Sequence, residues 1–155
     1  MKKILLVCEI LGAFLLRTVW QWDIIFKQTL NGTSIIFFRG TDSWYHLRLI
    51  DNMMVNFPWP LIWDAYASYP EGSPSGYHPL MAWIVVAIGK LGFNYEYVAA
   101  LLPPIIGALT LIPIYLIGKK LWSPFVGLLA SFLFAIIPSE AFFRTLLGAA
   151  DHHYL

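Results

Sequence analysis

The sequence predicts an all-α integral membrane protein with about three transmembrane helices and one long external loop. Three observations carry that prediction. Hydrophobic residues make up 59% of the 155-residue chain and charged residues only 12%. Soluble domains average roughly 45–50% and about 25%, so lipid has to be part of the solvent. Apolar runs near the length of about 20 residues needed to cross a bilayer recur along the chain. Two basic pairs, Lys2/Lys3 and Lys119/Lys120, stand where they would orient such helices. The length leaves room for one domain. A net charge of +1 gives no nucleic-acid footprint. The single cysteine, Cys8, allows no internal disulfide and no cysteine-based metal site, and is expected as a small buried hydrophobe.

The first helix is expected within residues 1–22. Lys2 and Lys3 precede an apolar stretch from Ile4 to Leu16 that only Glu9 interrupts. A cleaved signal peptide opens the same way, but no small-x-small site follows. Instead the chain runs on through Arg17-Thr18-Val19-Trp20-Gln21-Trp22, with Trp20 and Trp22 suited to an aromatic belt at the exit. Glu9 and Arg17 are costly in lipid and should face protein, headgroups or each other's helix face in a structural pairing.

Residues 23–97 read as an external loop with interfacial helices. Asn31-Gly32-Thr33 is a formal glycosylation triplet of a kind common by chance. After Arg39-Gly40 a helix is expected, with Thr41 or Asp42 as its N-cap. Its apolar stripe would be Trp44, Tyr45, Leu47, Ile50, Met53, Met54 and Phe57. Arg48 and Asp51 stand at i, i+3, as a surface pair would. Prolines at 58, 60, 70, 74 and 79, with Gly72 and Gly76, leave no room for a regular element. The aromatics between them suit the headgroup level. The apolar run Leu80 to Gly89 is too short to span and should be re-entrant, interfacial or buried.

Two further spans are expected, at 98–118 and 121–139. No charge falls between Glu96 and Lys119, and Pro103, Pro104 and Pro113 are tolerable inside a membrane bundle. Pro124 suits the first turn of the last span. With both lysine pairs cytoplasmic, residues 23–97 and 140–155 share the outer face, and the N-terminus lies inside. A fourth span at 79–92 would put Lys119/Lys120 outside, so length and charge agree on three.

That topology gathers Asp42, His46, His78, Asp151, His152 and His153 on one side. Asp151 and His153 flank one residue and can offer two ligands to one ion. An oxygen-plus-imidazole set suits Mn²⁺, Zn²⁺ or Fe²⁺ better than Mg²⁺. Solvated polar residues at the outer end of a span would look the same. Arg144, seven residues before Asp151, falls two helical turns back on the same face. Its guanidinium could hold an anion bidentately or snorkel to headgroups.

The motifs Gly40-x-Asp42-x-x-Tyr45-His46-x-Arg48 and Arg144-Thr145-x-x-Gly148-x-x-Asp151-x-His153 resemble those of the catalytic subunit of oligosaccharyltransferase. The resemblance is nearest to the single-subunit archaeal and bacterial enzymes and runs over essentially the whole chain. It takes in Asn56-Phe57-Pro58 and Tyr69-Pro70-x-Gly72. It implies the N-terminal part of a class C glycosyltransferase fold. The implied reaction is inverting transfer of a glycan from a polyprenyl (dolichyl) phosphate or diphosphate carrier to Asn in Asn-x-Ser/Thr. The implied partners are a lipid-linked oligosaccharide, an acceptor protein and the bilayer of the cell membrane. Asp42 and Asp151 would be catalytic and, with His153, hold a divalent metal, Mn²⁺ first and Mg²⁺ or Zn²⁺ as alternatives. Asp42 would also accept a hydrogen bond from the acceptor amide. Arg144, with His78 and His152, would bind the lipid phosphate, and His46 and Arg48 are secondary candidates. The family's later spans and its Trp-Trp-Asp-Tyr-Gly signature are not among these residues. The remainder is therefore expected further along the polypeptide or on a separate chain, and the 155 residues alone are expected to be inactive.

Two other classes compete. A non-enzymatic membrane module, such as part of a metal-ion transporter, would carry ionisable residues along a pathway within its spans. Residues 98–117 and 121–139 carry none, and the acids sit at their outer ends, which favours the enzyme. Another polyprenyl-phosphate-sugar transferase would share the outer acid without needing Arg144 beside Asp-x-His.

Overall fold

The computed structural model describes residues 2–152, with side chains from Ile4 onward. It is mostly helical. Helix α1 (Lys2–Thr18) passes through a tight 3₁₀ turn into α2 (Trp22–Phe26). Together they form an apolar rod, Ile4–Phe26, long enough to cross a membrane and four residues longer than expected. Cys8 lies exposed on its outer surface, which corrects the buried placement. Glu9 and Arg17 of this rod do not pair with each other. Glu9 accepts a hydrogen bond from Ser131 Oγ at 2.6 Å, and Arg17 reaches Thr145 at 3.0 Å.

The segment between the two membrane-length stretches, expected as an external loop with interfacial helices, also holds short strands. Strands β1 (Gln28–Leu30) and β2 (Thr33–Ile35) pair antiparallel. They turn at Asn31 and Gly32, whose φ angles of 51° and 80° are those of a type I′ hairpin. The Asn-Gly-Thr triplet is therefore turn chemistry, and Asn-Gly was its signal.

Helix α3 (Gly40–Asn56) starts one residue before the expected cap. Arg39 stands at the N-cap without a capping side-chain bond, and Asp42 lies in the first turn, so neither Thr41 nor Asp42 caps the helix. Its buried face is Ser43, His46, Leu47, Ile50 and Met53. Trp44 and Phe57, expected in the stripe, are exposed. Residues 57–79 are irregular apart from a two-residue ladder between β3 (Trp63–Asp64) and β4 (Ser73–Pro74).

Arg48 does not pair with Asp51. It forms a salt bridge with the buried Asp64 of this loop, and its guanidinium lies 5.2 Å from the Tyr45 ring centre and 5.7 Å from that of Tyr66. Asp64 Oδ1 also accepts from the backbone N–H groups of Tyr66 at 2.9 Å and Ala67 at 3.3 Å. A carboxylate buried this way needs its cation. Arg48→Met is expected to cost about 2 kcal/mol, less than a fully buried pair because Arg48 is half in solvent. A lower unfolding midpoint in detergent, absent in Arg48→Lys, would register it.

Helix α4 (Leu80–Lys90) is short, as expected, and packs Met81, Ala82, Val85 and Val86 into a core shared with α3 and with α5 (Tyr95–Leu109). Asn94 caps α5, its side chain accepting from the N–H groups of Glu96 and Tyr97. The rod continues as α6 (Leu111–Leu121) after a break at Thr110. Pro113, which has no N–H to return to the preceding turn, accounts for that break. Residues Tyr95–Leu121 are the second stretch long and apolar enough to cross a membrane. Helix α7 (Pro124–Ile136), capped by Ser123, is apolar but only 13 residues long. It packs closely along α6, with Gly118 against Gly127. Helix α8 (Glu140–Arg144) is a single short turn. From Thr145 the chain folds back through Gly148, at φ 76°, and residues 145–151 are buried.

Candidate metal and anion site

Two distant parts of the chain build the site. One is the inner face of α3. The other is the buried turn after α8. That turn is held by backbone bonds: Gly148 N–H to Ala100 O at 3.0 Å, Leu147 N–H to Arg17 O at 3.1 Å, and Arg39 N–H to Gly148 O at 2.9 Å. A Cβ on Gly148 would stand 2.6 Å from Ile25, so both its backbone angle and its surroundings require glycine.

The turn presents Asp151, only 3% exposed, to His46, which α3 buries. Arg144 Nη1 donates to Asp151 Oδ2 at 2.6 Å. The other carboxylate oxygen, Oδ1, lies 2.8 Å from His152 Nδ1 and 3.5 Å from His46 Nε2. The two imidazole nitrogens are 3.0 Å apart. Tyr77, from the aromatic loop, sets its ring 4.8 Å from that of His46 and 4.9 Å from that of His152.

These three donors pass the test for a shared cation. All their ligand atoms lie within 4.8 Å of one another. Ligands about 2.0–2.2 Å from one ion stand about 3 to 3.5 Å apart, which is the spacing seen. One carboxylate with two imidazoles suits Zn²⁺, Mn²⁺ or Fe²⁺. Arg144, by holding Oδ2, turns Oδ1 toward the imidazoles, as partners of metal-ligating carboxylates do.

Arg144 has a second carboxylate. Glu140 Oε1 accepts from its Nε at 2.6 Å. That hydrogen bond, then the charges of Asp151 and Glu140, hold the guanidinium above its ordinary value against the opposing effect of burial. A raised arginine keeps its charge at every pH below that value and loses it only above, so no step from Arg144 falls in the neutral range. Arg144 and Asp151 meet, but not along two helical turns. The helix stops at Arg144 and the chain doubles back.

The remaining expected residues sit as follows. Asp42 is exposed and lines a recess with Arg39, Arg144 and Asp151, beside the three donors rather than among them. His152, expected at the phosphate, is one of the donors. His78 lines a separate narrow recess with His46 and Tyr77, and makes no hydrogen bond or ion pair with Arg144 among the described residues. Arg48 belongs to the Asp64 pair. His153 lies outside the described residues. The sequence reading ranked His46 second and gave Tyr77 and Glu140 no site role. His46 had a signal, its place on the apolar stripe one turn after Asp42.

Fold and site together define a class: a helical chain of membrane type whose polar end gathers a carboxylate, imidazoles and a guanidinium. The chain belongs to the oligosaccharyltransferase family. The family described as "Oligosaccharyl transferase STT3, N-terminal" matches residues 9–155. Dolichyl-phosphooligosaccharide-protein glycotransferase 3 of Archaeoglobus fulgidus is 31% identical over 143 residues, 89% of this chain and 16% of that protein. The crystal structure of the A. fulgidus oligosaccharyltransferase in complex with Zn and sulfate superposes with a TM-score of 0.86 at 30% identity, covering 97% of this chain and 19% of that one. The A. fulgidus enzyme in complex with an inhibitory peptide and a dolichol-phosphate gives 0.88 at 30% identity, covering 99% and 18%. The chain thus spans less than a fifth of the length of these relatives.

Proposed function

We propose that this chain is the cation- and phosphate-holding portion of an enzyme that moves a glycan from a polyprenyl (dolichyl) phosphate carrier to asparagine in Asn-x-Ser/Thr. The observation that carries the reading is the convergence of His46, Asp151 and His152 with Arg144, from parts of the chain 106 residues apart. The solved relative's zinc and sulfate, and its dolichol-phosphate and peptide, support a site for both a cation and an anion. On our reading, the two membrane-length stretches 4–26 and 95–121, with the shorter apolar helix 124–136 and its flanks as a third span, would put the 27–94 and 140–155 regions on one external face. The lysine pairs support that orientation.

In the reaction the acceptor amide nitrogen bonds to the anomeric carbon as the carbon–oxygen bond to phosphate breaks, with inversion; the phosphate leaves with the bonding electron pair, and the nitrogen sheds one N–H proton, for which the departing phosphate is the available base. A bound divalent cation, Mn²⁺ first among the candidates, supplies neutralisation of the leaving phosphate charge. Asp151, His46 and His152 would hold it, joined by Asp42 and His153 as the resemblance implies. Asp42, at the rim of the recess, accepts a hydrogen bond from the amide N–H and so positions the nucleophile. Arg144 faces the phosphate oxygens.

For Arg144 to grip an anion through Nε and Nη2 together, the anion would displace Glu140 from Nε. That pair is an i, i+4 contact with the Glu140 side chain 76% exposed, a kind worth only tenths of a kcal/mol. Glu140→Gln is expected to tighten sulfate binding about threefold, by removing the competing carboxylate, and calorimetric titration measures it.

Transfer to an Asn-x-Thr peptide tests the whole reading. The 155 residues alone should give no turnover. Joined to the rest of the A. fulgidus relative's chain they should give turnover that chelation abolishes and Mn²⁺ restores. Turnover indifferent to chelation, or turnover by the 155 residues alone, would overturn the proposal.

A further inference from the structure

Arg17 is 0% exposed in the last turn of α1, inside the first membrane-length rod. An ionisable group at that depth is costly and marks function more often than not. Among the described residues it has no carboxylate partner. Its Nε donates to Thr145 Oγ1 at 3.0 Å, and its Nη1 donates to the carbonyls of Ala13 at 3.1 Å and Ala135 at 3.3 Å. The Phe142 ring centre lies 4.9 Å from its guanidinium carbon. The charge is answered instead by geometry. Ala135 lies in the last turn of α7 and Arg17 in the last turn of α1, so the cation sits where the negative ends of two helix dipoles meet.

The backbone of Arg17 also holds the turn that carries the site. Its carbonyl accepts from Leu147 N–H at 3.1 Å. Thr145, its side-chain partner, fits against Gly107, where an added Cβ would stand 2.5 Å from the Thr145 Cβ. We infer that Arg17 is a positioning residue for the site. Its side chain and its carbonyl grip both sides of the turn between Arg144 and Asp151. That grip fixes where the guanidinium and the carboxylate stand relative to His46 on α3. The inference rests on the reading of Asp151 and Arg144 as the functional site. Arg17 touches none of the reacting groups itself.

Segment-resolved hydrogen exchange and Mn²⁺ titration, both on the chain in lipid nanodiscs, test it. Arg17→Met is expected to speed exchange of the 145–149 amides about tenfold, to leave 80–90 unchanged, and to weaken Mn²⁺ binding about tenfold. Arg17→Lys keeps the charge at the helix ends without the fork, and should recover part of both. Exchange at 145–149 that stays slow in the folded Arg17→Met chain overturns the inference. So does faster exchange with unchanged Mn²⁺ affinity, which would leave Arg17 a structural brace. If Arg17→Met speeds exchange everywhere, the decision passes to Thr145→Val, which keeps the shape and removes the Nε acceptor. Local exchange and Mn²⁺ affinity both move in that variant if the inference holds; if either stays put, it fails. A wild-type chain that binds no Mn²⁺ sinks the proposed function instead, while the exchange pattern still reads the grip on the turn.

Discussion

Asp151→Asn is expected to abolish Mn²⁺ binding, weakening it at least about 100-fold, or about 2.7 kcal/mol. Asp151 is the one formal negative charge among the three donors, and it is buried. Asparagine keeps the size and one oxygen but gives up the charge. Arg144, 2.6 Å away in the wild type, then keeps only the exposed Glu140 as its counter-charge beside the metal position. Both changes act in the same direction, so the loss should exceed that of His46→Gln, which removes a neutral donor and costs about tenfold. Electron paramagnetic resonance of Mn²⁺ in the nanodisc-held chain measures both. Equal, small losses in the two variants would show that the ion is held elsewhere. The same substitution should halt glycan transfer in the joined enzyme.

Gly127→Leu is expected to split α7 from α6, at a cost of about 3 kcal/mol or more. The two helices touch backbone to backbone. A Cβ at Gly127 would stand 2.5 Å from Tyr115 O and 2.9 Å from Lys119 N, atoms that cannot swing aside. Packing through small residues is what drives helix association where lipid removes the hydrophobic gain. The damage should spread, because α7 also brings Ser131 to Glu9 and Ala135 to Arg17. Gly12→Leu is the control: a Cβ there has no neighbour within 4 Å. Unfolding in detergent should show a large drop for Gly127→Leu, a smaller one for Gly127→Ala and almost none for Gly12→Leu. Indistinguishable curves would mean that the close approach contributes nothing.

The elements set by local pattern were legible in the sequence. The ten-residue apolar run after His78 was read as too short to span, and α4 is 11 residues packed into the core. Ser123-Pro124 signalled the start of α7, and the cap is there. Asn94 is a sequence-readable cap that lies ahead of the first apolar residue of the span, so a boundary drawn from hydrophobicity starts after it. Asn31-Gly32 was weighed as a modification triplet when its stronger meaning was a reverse turn. The site was legible in part. Asp151 and Arg144 were named, but the turn that joins them depends on Gly148, Ile25 and Ala100, and no pattern within 140–155 carries that information. Arg17 with Thr145 and His46 with His152 are pairs separated by 128 and 106 residues. Such contacts follow from how helices stack, not from spacing along one of them.

The hairpin of β1 and β2 has a consequence for the reaction proposed. The chain carries its own Asn-x-Thr sequence, which the proposed topology would place on the face where the chemistry takes place. There Asn31 is wound into a left-handed bend, and Thr33 is already engaged opposite Leu30 in the ladder. An acceptor has to be pliable enough to drape itself over a foreign surface. This one is tied into a knuckle, which would spare an enzyme of the proposed kind from marking itself.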